Sequence, residues 1–259
     1  MSDFSSIQAR LLAYEPRPGL LSNKVILITG ANRGIGRALA IATASVGAQT
    51  LLLARDVRQV DALADEIVQL GGPEPGVIPI DLEGASVTDY ATLASLVSER
   101  YARVDGVVLN AGILGEMAPL VSYDPVSWAR VFQVNVHSQF LLLQALLPLM
   151  GKDAAGSIVF TSSGVGRTAR AYWGAYAASK FATEGLMQTL ADELSSQGRI
   201  RANAINPGRV RTQMRAAAYP AEDPLQLPEP DEITNGYLFL LGTDSHDVNG
   251  LSLNAQPPR

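Results

Sequence analysis

Tyr176 and Lys180, in Tyr-Ala-Ala-Ser-Lys, stand four positions apart, so on a helix they share one face and reach a common space. A free phenol titrates near 10, too high for efficient proton exchange at neutrality, and a neighbouring ammonium favours the phenolate. The pair could therefore move a proton, with Lys180 tuning Tyr176 as general acid/base. Taken alone, the spacing is better explained by an ordinary amphipathic helix, and only its companions along the chain reverse that. A second chemical signal is Val25-Ile-Leu-Ile-Thr-Gly-Ala-Asn-Arg-Gly-Ile-Gly36, which puts Gly30, Gly34 and Gly36 where a strand turns into a helix. Glycines there admit positive φ and close backbone approach, and the helix N-terminus offers unpaired N–H groups to a pyrophosphate. A dinucleotide turn and a plain tight turn both fit the triplet, and its place in a βαβ unit favours the first. Gly36 is followed by Arg37 rather than Lys-Ser/Thr, which disfavours a Walker loop. The chain has no cysteine, and its two histidines, His137 and His246, are far apart, so no disulfide, thiolate nucleophile or metal site is expected.

The elements that must position these groups alternate along the chain. Apolar runs at Val25–Ile28, Thr50–Leu53, Val77–Ile80, Val107–Leu109, Ser157–Phe160, Ala202–Ile205 and Leu251–Leu253 read as seven strands. Helix-length segments lie between them at Ile35–Val46, Val57–Leu70, Tyr90–Tyr101, Trp128–Leu147 and Tyr176–Leu194. This is the rhythm of a Rossmann-like, doubly wound parallel sheet in a three-layer αβα sandwich, with ligands outside the carboxyl ends of the strands. Residues 1–23 lack strong periodicity and read as an N-terminal arm on a single domain over 24–259, which holds both cofactor and substrate sites. The Pro-rich stretch Pro220–Pro230 reads as a surface excursion or lid. A net charge of −5 leaves no basic field for nucleic acid. The apolar run Phe140–Met150, interrupted by Gln144 and Pro148, is far short of the roughly 20 residues a membrane span needs. With no secretory pattern at the N-terminus, a cytoplasmic protein is expected.

Further landmarks accumulate in order: Thr29-Gly-x-x-x-Gly-x-Gly36, Asn110-Ala-Gly112 after the fourth strand, Asn135 in Val-Asn-Val, Ser163 after the fifth strand, Tyr176 with Lys180, and Pro207-Gly208 after the sixth. Together they resemble the short-chain dehydrogenase/reductase family, in its ordinary single-domain bacterial branch. The resemblance implies hydride transfer between a nicotinamide cofactor and a carbonyl or secondary alcohol, with Asn135, Ser163, Tyr176 and Lys180 as the catalytic set. Ser163 would polarise the substrate oxygen, and is chosen over Ser162 on the family spacing. Asn135 would hold a water that links Lys180 to solvent, although a buried asparagine satisfying a helix irregularity explains it equally well.

In the family the end of the second strand reads the adenosine ribose, and here it runs Leu51-Leu-Leu-Ala-Arg-Asp56. Ala54 stands where NAD-specific relatives carry an acid, and Arg55 with Arg33 offers guanidinium groups to a 2′-phosphate. NADP(H) is favoured; NAD(H) stays open if Asp56 serves as the acid. The implied cofactor contacts are Gly30, Asn32, Arg33, Gly34, Ile35, Gly36, Arg55, Asp81, Leu82, Asn110, Ala111, Gly112, Tyr176, Lys180, Pro207, Gly208, Val210 and Thr212. Asp81 would meet the adenine, or serve only as a helix cap. Beside Ser163 and Tyr176, the substrate pocket would use Arg167, Trp173 and Met214, with Leu114, Met117, Gly164 and Tyr219 near by. Arg167 and Arg170 could meet a substrate carboxylate or be surface charges. A homodimer or homotetramer is expected, since the helices holding Asn135 and Tyr176 carry excess apolar surface. An NAD-dependent alcohol dehydrogenase and a non-catalytic NADP(H)-binding regulator are the alternatives. Two departures from the family pattern are Leu109, where asparagine is usual, and the ending Asn-Ala-Gln-Pro-Pro-Arg, which leaves the C-terminal wall of the pocket open.

Overall fold

The computed structural model describes residues 3–151, 155–196 and 198–257. Its core is a seven-stranded, all-parallel sheet of β1 (Val25–Thr29), β2 (Gln49–Ala54), β3 (Gly76–Pro79), β4 (Gly106–Leu109), β5 (Gly156–Thr161), β6 (Ile200–Asn206) and β7 (Ser252–Asn254), in the order β3-β2-β1-β4-β5-β6-β7. The helices are α1 (Phe4–Leu12), α2 (Gly34–Ser45), α3 (Val57–Gln69), α4 (Val87–Tyr101), α5 (Pro125–Phe132), α6 (Ser138–Leu146), α7 (Gly174–Ser195), α8 (Gln213–Ala218) and α9 (Thr234–Leu241). Strand side chains alternate between faces. Ile26 and Ile28 enter one core with α1, α2, α3 and α9, whereas Val25 and Leu27 enter the other with α4, α6 and α7. The doubly wound αβα sandwich expected from the alternating runs is thus the architecture. The chain order reverses between β1 and β4, which opens the crevice where such sheets bind ligands.

Two segments depart from the sequence expectation. Residues 4–12, read as an aperiodic arm, form α1, and Ile7 and Leu11 are buried in the same core as α2 and α9. A helix of nine residues with two buried positions has too little periodicity to stand out. The helix expected over Trp128–Leu147 is interrupted by one π turn at Gln133–His137 before α6 begins. Asn135, fully buried in that turn, explains the break: its Oδ1 accepts from Ile113 N at 2.8 Å, and its Nδ2 donates to Ile113 O at 3.0 Å and to Ser179 Oγ at 3.0 Å. π turns of this kind re-aim a side chain at the cost of one regular hydrogen bond. Local chemistry sets the starts of three helices. Asp56 caps α3, a Ser86–Asp89 capping box opens α4, and Asp124 with Pro125 opens α5. Among the described residues no helix is long and apolar enough to cross a membrane.

Candidate active site

The glycine turn is built at the switch point. Gly30 (φ +67°) and Gly34 (φ +53°) take left-handed backbone, which side chains resist. A Cβ on Gly30 would stand 3.1 Å from Ala111 Cα, and one on Gly36 only 2.1 Å from Gly30 O and 2.8 Å from Asn110 Nδ2. The turn is therefore pressed against the loop after β4. Thr29, not singled out for a role in the sequence, clasps the two. Its Oγ1 accepts from Asn110 N and Ala111 N, each at 2.9 Å, and Asn110 Nδ2 donates to Thr29 O at 3.2 Å. No side chain caps α2, so the N–H groups of its first turn stay available to an anion.

Exposed guanidinium groups flank this helix end. Arg33 donates to Gln213 Oε1 at 2.6 Å, and Arg55, 70% exposed, lies 4.0 Å from Asp81 Oδ2. Ala54 is buried at the end of β2, and Asp56 is spent on its own helix, its Oδ1 and Oδ2 accepting from Gln59 N and Nε2 at 3.2 and 2.6 Å. The cradle, the uncapped helix end and two exposed arginines, Arg55 only loosely paired with Asp81, fit a phosphorylated dinucleotide. Around it, Ile35 and Val210 pack into the core of α2, and Leu82 into that of α4. Asn32 donates to Gln59 Oε1 at 3.1 Å. Asp81 accepts from Glu83 N at 3.2 Å within a turn and does not cap a helix, since α4 is capped by Ser86. Thr212 caps α8 beside Gly34. Pro207 and Gly208 are held by Gln256, whose Nε2 donates to Pro207 O at 2.7 Å and Arg209 O at 2.9 Å. The C-terminal segment thus supplies a clamp on this turn; Pro258 and Arg259 lie outside the described residues.

One face of α7 and the end of β5 supply the proton-moving groups. Tyr176 is buried, with the Ser163 hydroxyl near enough to favour its phenolate, and Lys180 Nζ lies 5.6 Å from the Tyr176 ring centroid. A Cβ on Gly112 would stand 3.3 Å from Asn135 Oδ1 and 3.8 Å from Lys180 Nζ, so those three residues share one small space. Gly166 backs Lys180: a Cβ there would press within 3.0 Å of its backbone. The electrostatics differ from the sequence expectation. Burial pushes the Tyr176 phenol up to about 12, opposed by the neighbouring Ser163 hydroxyl. Burial likewise pulls Lys180 down to about 8, with Glu184 opposing. The ammonium gives its hydrogen bond to Thr161 O at 2.7 Å, over the ring rather than to the phenol oxygen, and burial sets the direction of the Tyr176 shift. Ser162 and Ser163 lie just past the end of β5 and meet different residues of α7: Ser162 is buried and donates to Glu184, and Ser163, half-buried, lies toward Tyr176.

The family profile for short chain dehydrogenases matches residues 24–223. The chain belongs to that family. It is 48% identical over 246 residues to the oxidoreductase YciK of Escherichia coli K12, covering 95% of this chain and 97% of that one. Among solved structures, a short chain dehydrogenase from Shigella flexneri 2a complexed with NADP superposes with a TM-score of 0.91 at 48% identity, covering 93% of this chain and 100% of that one. One from Escherichia coli CFT073 complexed with NADPH gives 0.91 at 49% identity, with coverage of 93% and 100%.

In this short-chain dehydrogenase the substrate-side candidates divide. Trp173 lies 5.7 Å from Tyr176, ring centre to ring centre, and Tyr219 lies 5.7 Å from Trp173. Leu114 and Met214 pack on the same apolar cluster, Met117 is exposed, and Gly164 faces Asn206. Arg170 donates to Tyr219 Oη at 3.3 Å and remains exposed. Arg167 is diverted. It donates to Ser252 Oγ, Asn254 Oδ1 and Leu253 O at 3.0, 2.8 and 2.8 Å, so β7 takes up its guanidinium while the side chain stays 30% exposed. A cavity of about 920 Å³ opens between β3 and α4, lined by Ile78, Leu93 and Leu96 among others, and no residue of the Tyr176 group borders it.

Proposed function

We propose that this oxidoreductase moves a hydride between NADP(H) and a carbonyl or secondary alcohol, with Tyr176 as the general acid/base. The observation that carries the reading is the convergence of Ser163, Tyr176, Lys180 and Asn135 beside a glycine cradle. Arg33 and Arg55 flank that cradle, and no acid occupies the ribose-reading position. The NADP and NADPH complexes of relatives at 48% and 49% identity support the same cofactor. The uncapped start of α2 would hold the pyrophosphate, Arg33 and Arg55 the 2′-phosphate, and Lys180 the nicotinamide ribose. Bound there, NADPH supplies the hydride to the carbonyl carbon. Ser163 holds the substrate oxygen by hydrogen bond, which draws electron density from the carbonyl carbon. Tyr176, its phenol held protonated by burial, gives its proton to that oxygen. Lys180 supplies the positive charge that makes the resulting phenolate tolerable, and Asn135 fixes the loop at Ile113 beside it. The apolar wall of Leu114, Trp173 and Met214 suits a hydrophobic carbonyl compound. Phe140 and Phe181, 49% and 46% exposed on α6 and α7, support a homo-oligomer formed through those helices.

The test is a panel of ketones and aldehydes followed by NADPH absorbance, with wild type and Tyr176→Phe. The variant should bind NADPH as the wild type does and lose turnover by about 10² to 10⁴. Turnover at the wild-type rate would overturn the assignment.

A further inference from the structure

Glu184, one helical turn beyond Lys180, is a buried carboxylate outside the family landmarks. Its side chain is 8% exposed, and its Oε1 gathers partners from three other segments. The hydroxyl of Ser162, the neighbour of Ser163, donates to it; Ser252 Oγ on β7 donates at 2.7 Å; and Arg167 Nε, from the turn after Ser163, lies 3.5 Å away. Burying a carboxylate without such partners would be costly. The partners themselves are tied down, since Arg167 also grips Leu253 and Asn254, and Asn254 bonds Asn206 at 3.1 Å and Gln8 of α1 at 2.8 Å.

We propose that Glu184 is a positioning residue for the reacting pair, locking α7 to the carboxyl ends of β5 and β7 so that Tyr176 faces Ser163, and serving as the negative charge that keeps buried Lys180 an ammonium. This rests on the reading of Tyr176 and Lys180 as the proton-moving pair. The geometry excludes a merely local role, because the carboxylate ties together four chain segments and three of them carry Tyr176, Ser163 or their immediate neighbours. Its electrostatic role follows from the surroundings of Lys180. On α7 the titratable neighbours are Tyr176 and Glu184. Across from them, β5 presents the Thr161 carbonyl and, through Thr161 Oγ1, the Tyr237 hydroxyl of α9 at 3.2 Å. The π turn presents uncharged Asn135, with His137 exposed. Arg201 of β6 is turned to Ser245 and Gly242, and Arg130 of α5 to Glu83. Arg167 is taken up by Glu184 and β7. Glu184 is therefore the anion left to offset the desolvation of Lys180, in the direction its effect on that amine takes.

The experiment reads Lys180 itself. The chain has three lysines, Lys24, Lys152 and Lys180, so protein labelled with a carbon isotope at lysine Cε yields three NMR signals, and Lys180→Arg identifies the third. In the cofactor-free protein the Lys180 midpoint should fall by about one unit in Glu184→Gln, which keeps the acceptor and removes the charge. It should fall by less in Glu184→Asp, and stay in place in Ser252→Ala, which removes a hydrogen bond and no charge. Should Glu184→Gln fail to fold, Arg167→Gln serves in its place: removing the cation that competes for Glu184 should raise the midpoint. A midpoint in Glu184→Gln equal to the wild type's, or one moved as far by Ser252→Ala, overturns the proposal. With a carbonyl substrate in hand, Glu184→Gln should also lower kcat more than it raises KM, and move the alkaline limb of the kcat profile to lower pH by the same amount as the NMR midpoint. A shifted midpoint in a protein that turns over no carbonyl compound would overturn the functional reading and leave the Glu184–Lys180 coupling standing.

Discussion

Gly36→Ala sets two effects of known size against each other. In a helix interior alanine is favoured over glycine by about 1 kcal/mol, and Gly36 lies in the first turn of α2, so on propensity alone the substitution stabilises. The added Cβ, however, would lie 2.1 Å from Gly30 O, 2.8 Å from Gly30 C and 2.8 Å from Asn110 Nδ2. Carbon contacts settle near 3.5 Å, so the turn must open by roughly 1 Å. Two of those three atoms are backbone. Gly30 has little room to retreat, because even a Cβ added to it would stand 3.1 Å from Ala111 Cα. Overpacking of a rigid site costs about 1–3 kcal/mol, and the backbone partners place this case at the upper end, for a net loss of about 1–2 kcal/mol. At roughly 2–4 °C per kcal/mol for a chain of this size, Tm falls by about 2–8 °C. The ligand effect is more diagnostic. The N–H groups that would meet a pyrophosphate move with the helix start, and a displacement of this size should weaken NADPH binding by at least about tenfold. Thermal unfolding with and without NADPH measures both. At a concentration near 100 times the wild-type Kd the ligand stabilises wild type by about 2.7 kcal/mol, and a tenfold weaker complex by only about half that. A Gly36→Ala protein with wild-type Tm and a wild-type NADPH increment would refute the reasoning from the cradle.

Arg33→Ala and Arg55→Ala should each raise the Kd for NADPH by about 10- to 100-fold, the worth of a charge-assisted phosphate contact, and leave NADH binding nearly unchanged; equal losses for both cofactors in fluorescence titration would remove them from the 2′-phosphate. The buried amine of Lys180 gives the apo protein a pH signature. Its native value near 8 lies below the ordinary 10.5, so between those values the unfolded chain binds more protons and stability rises with pH; below 8 the full penalty is present. At pH 7 that penalty is roughly 3 kcal/mol. Lys180→Met should therefore stabilise the apo protein at pH 7 by roughly 2 kcal/mol once the lost bond to Thr161 is counted, with the advantage shrinking toward pH 10.5; equal Tm differences at pH 7 and pH 10 would contradict this. Arg167→Ala should cost roughly 2–3 kcal/mol in denaturant unfolding through loss of the β7 clamp, and its kinetic effect should be the same for acidic and neutral carbonyl substrates. Phe140→Asp combined with Phe181→Asp should lower the mass measured by light scattering to that of one chain; an unchanged mass would take α6 and α7 out of the interface.

What could be read in the sequence is what local geometry constrains. Gly30, Gly34 and Gly36 are demanded by a turn that completes itself within seven residues, and Tyr176 with Lys180 by one helical turn. The alternation of strand and helix follows from side chains that face one of two cores, which is why the seven apolar runs coincide with β1–β7 to within two residues at either end. Other features depend on partners that no local pattern records. Arg167 was a candidate for substrate, but its guanidinium closes on a strand 85 positions away, and a charge on a turn leaves no trace of whether such a partner exists. Asn135 breaks its helix because Ile113, 22 positions earlier, offers both a donor and an acceptor. Hydrophobic periodicity runs through the π turn unchanged, so the interruption is invisible to it. Glu184 is the sharpest case. On the pattern of α7 it is one polar residue among several, and it becomes a site residue only because β5 and β7 arrive with Ser162 and Ser252 where its carboxylate points. A glycine cradle must be specified within its own segment, because the backbone there has no other source of freedom. The orientation of Tyr176 toward Ser163 need not be, since it is set wherever two elements can be pinned, and the pin lies one helical turn past the last residue that the motif names.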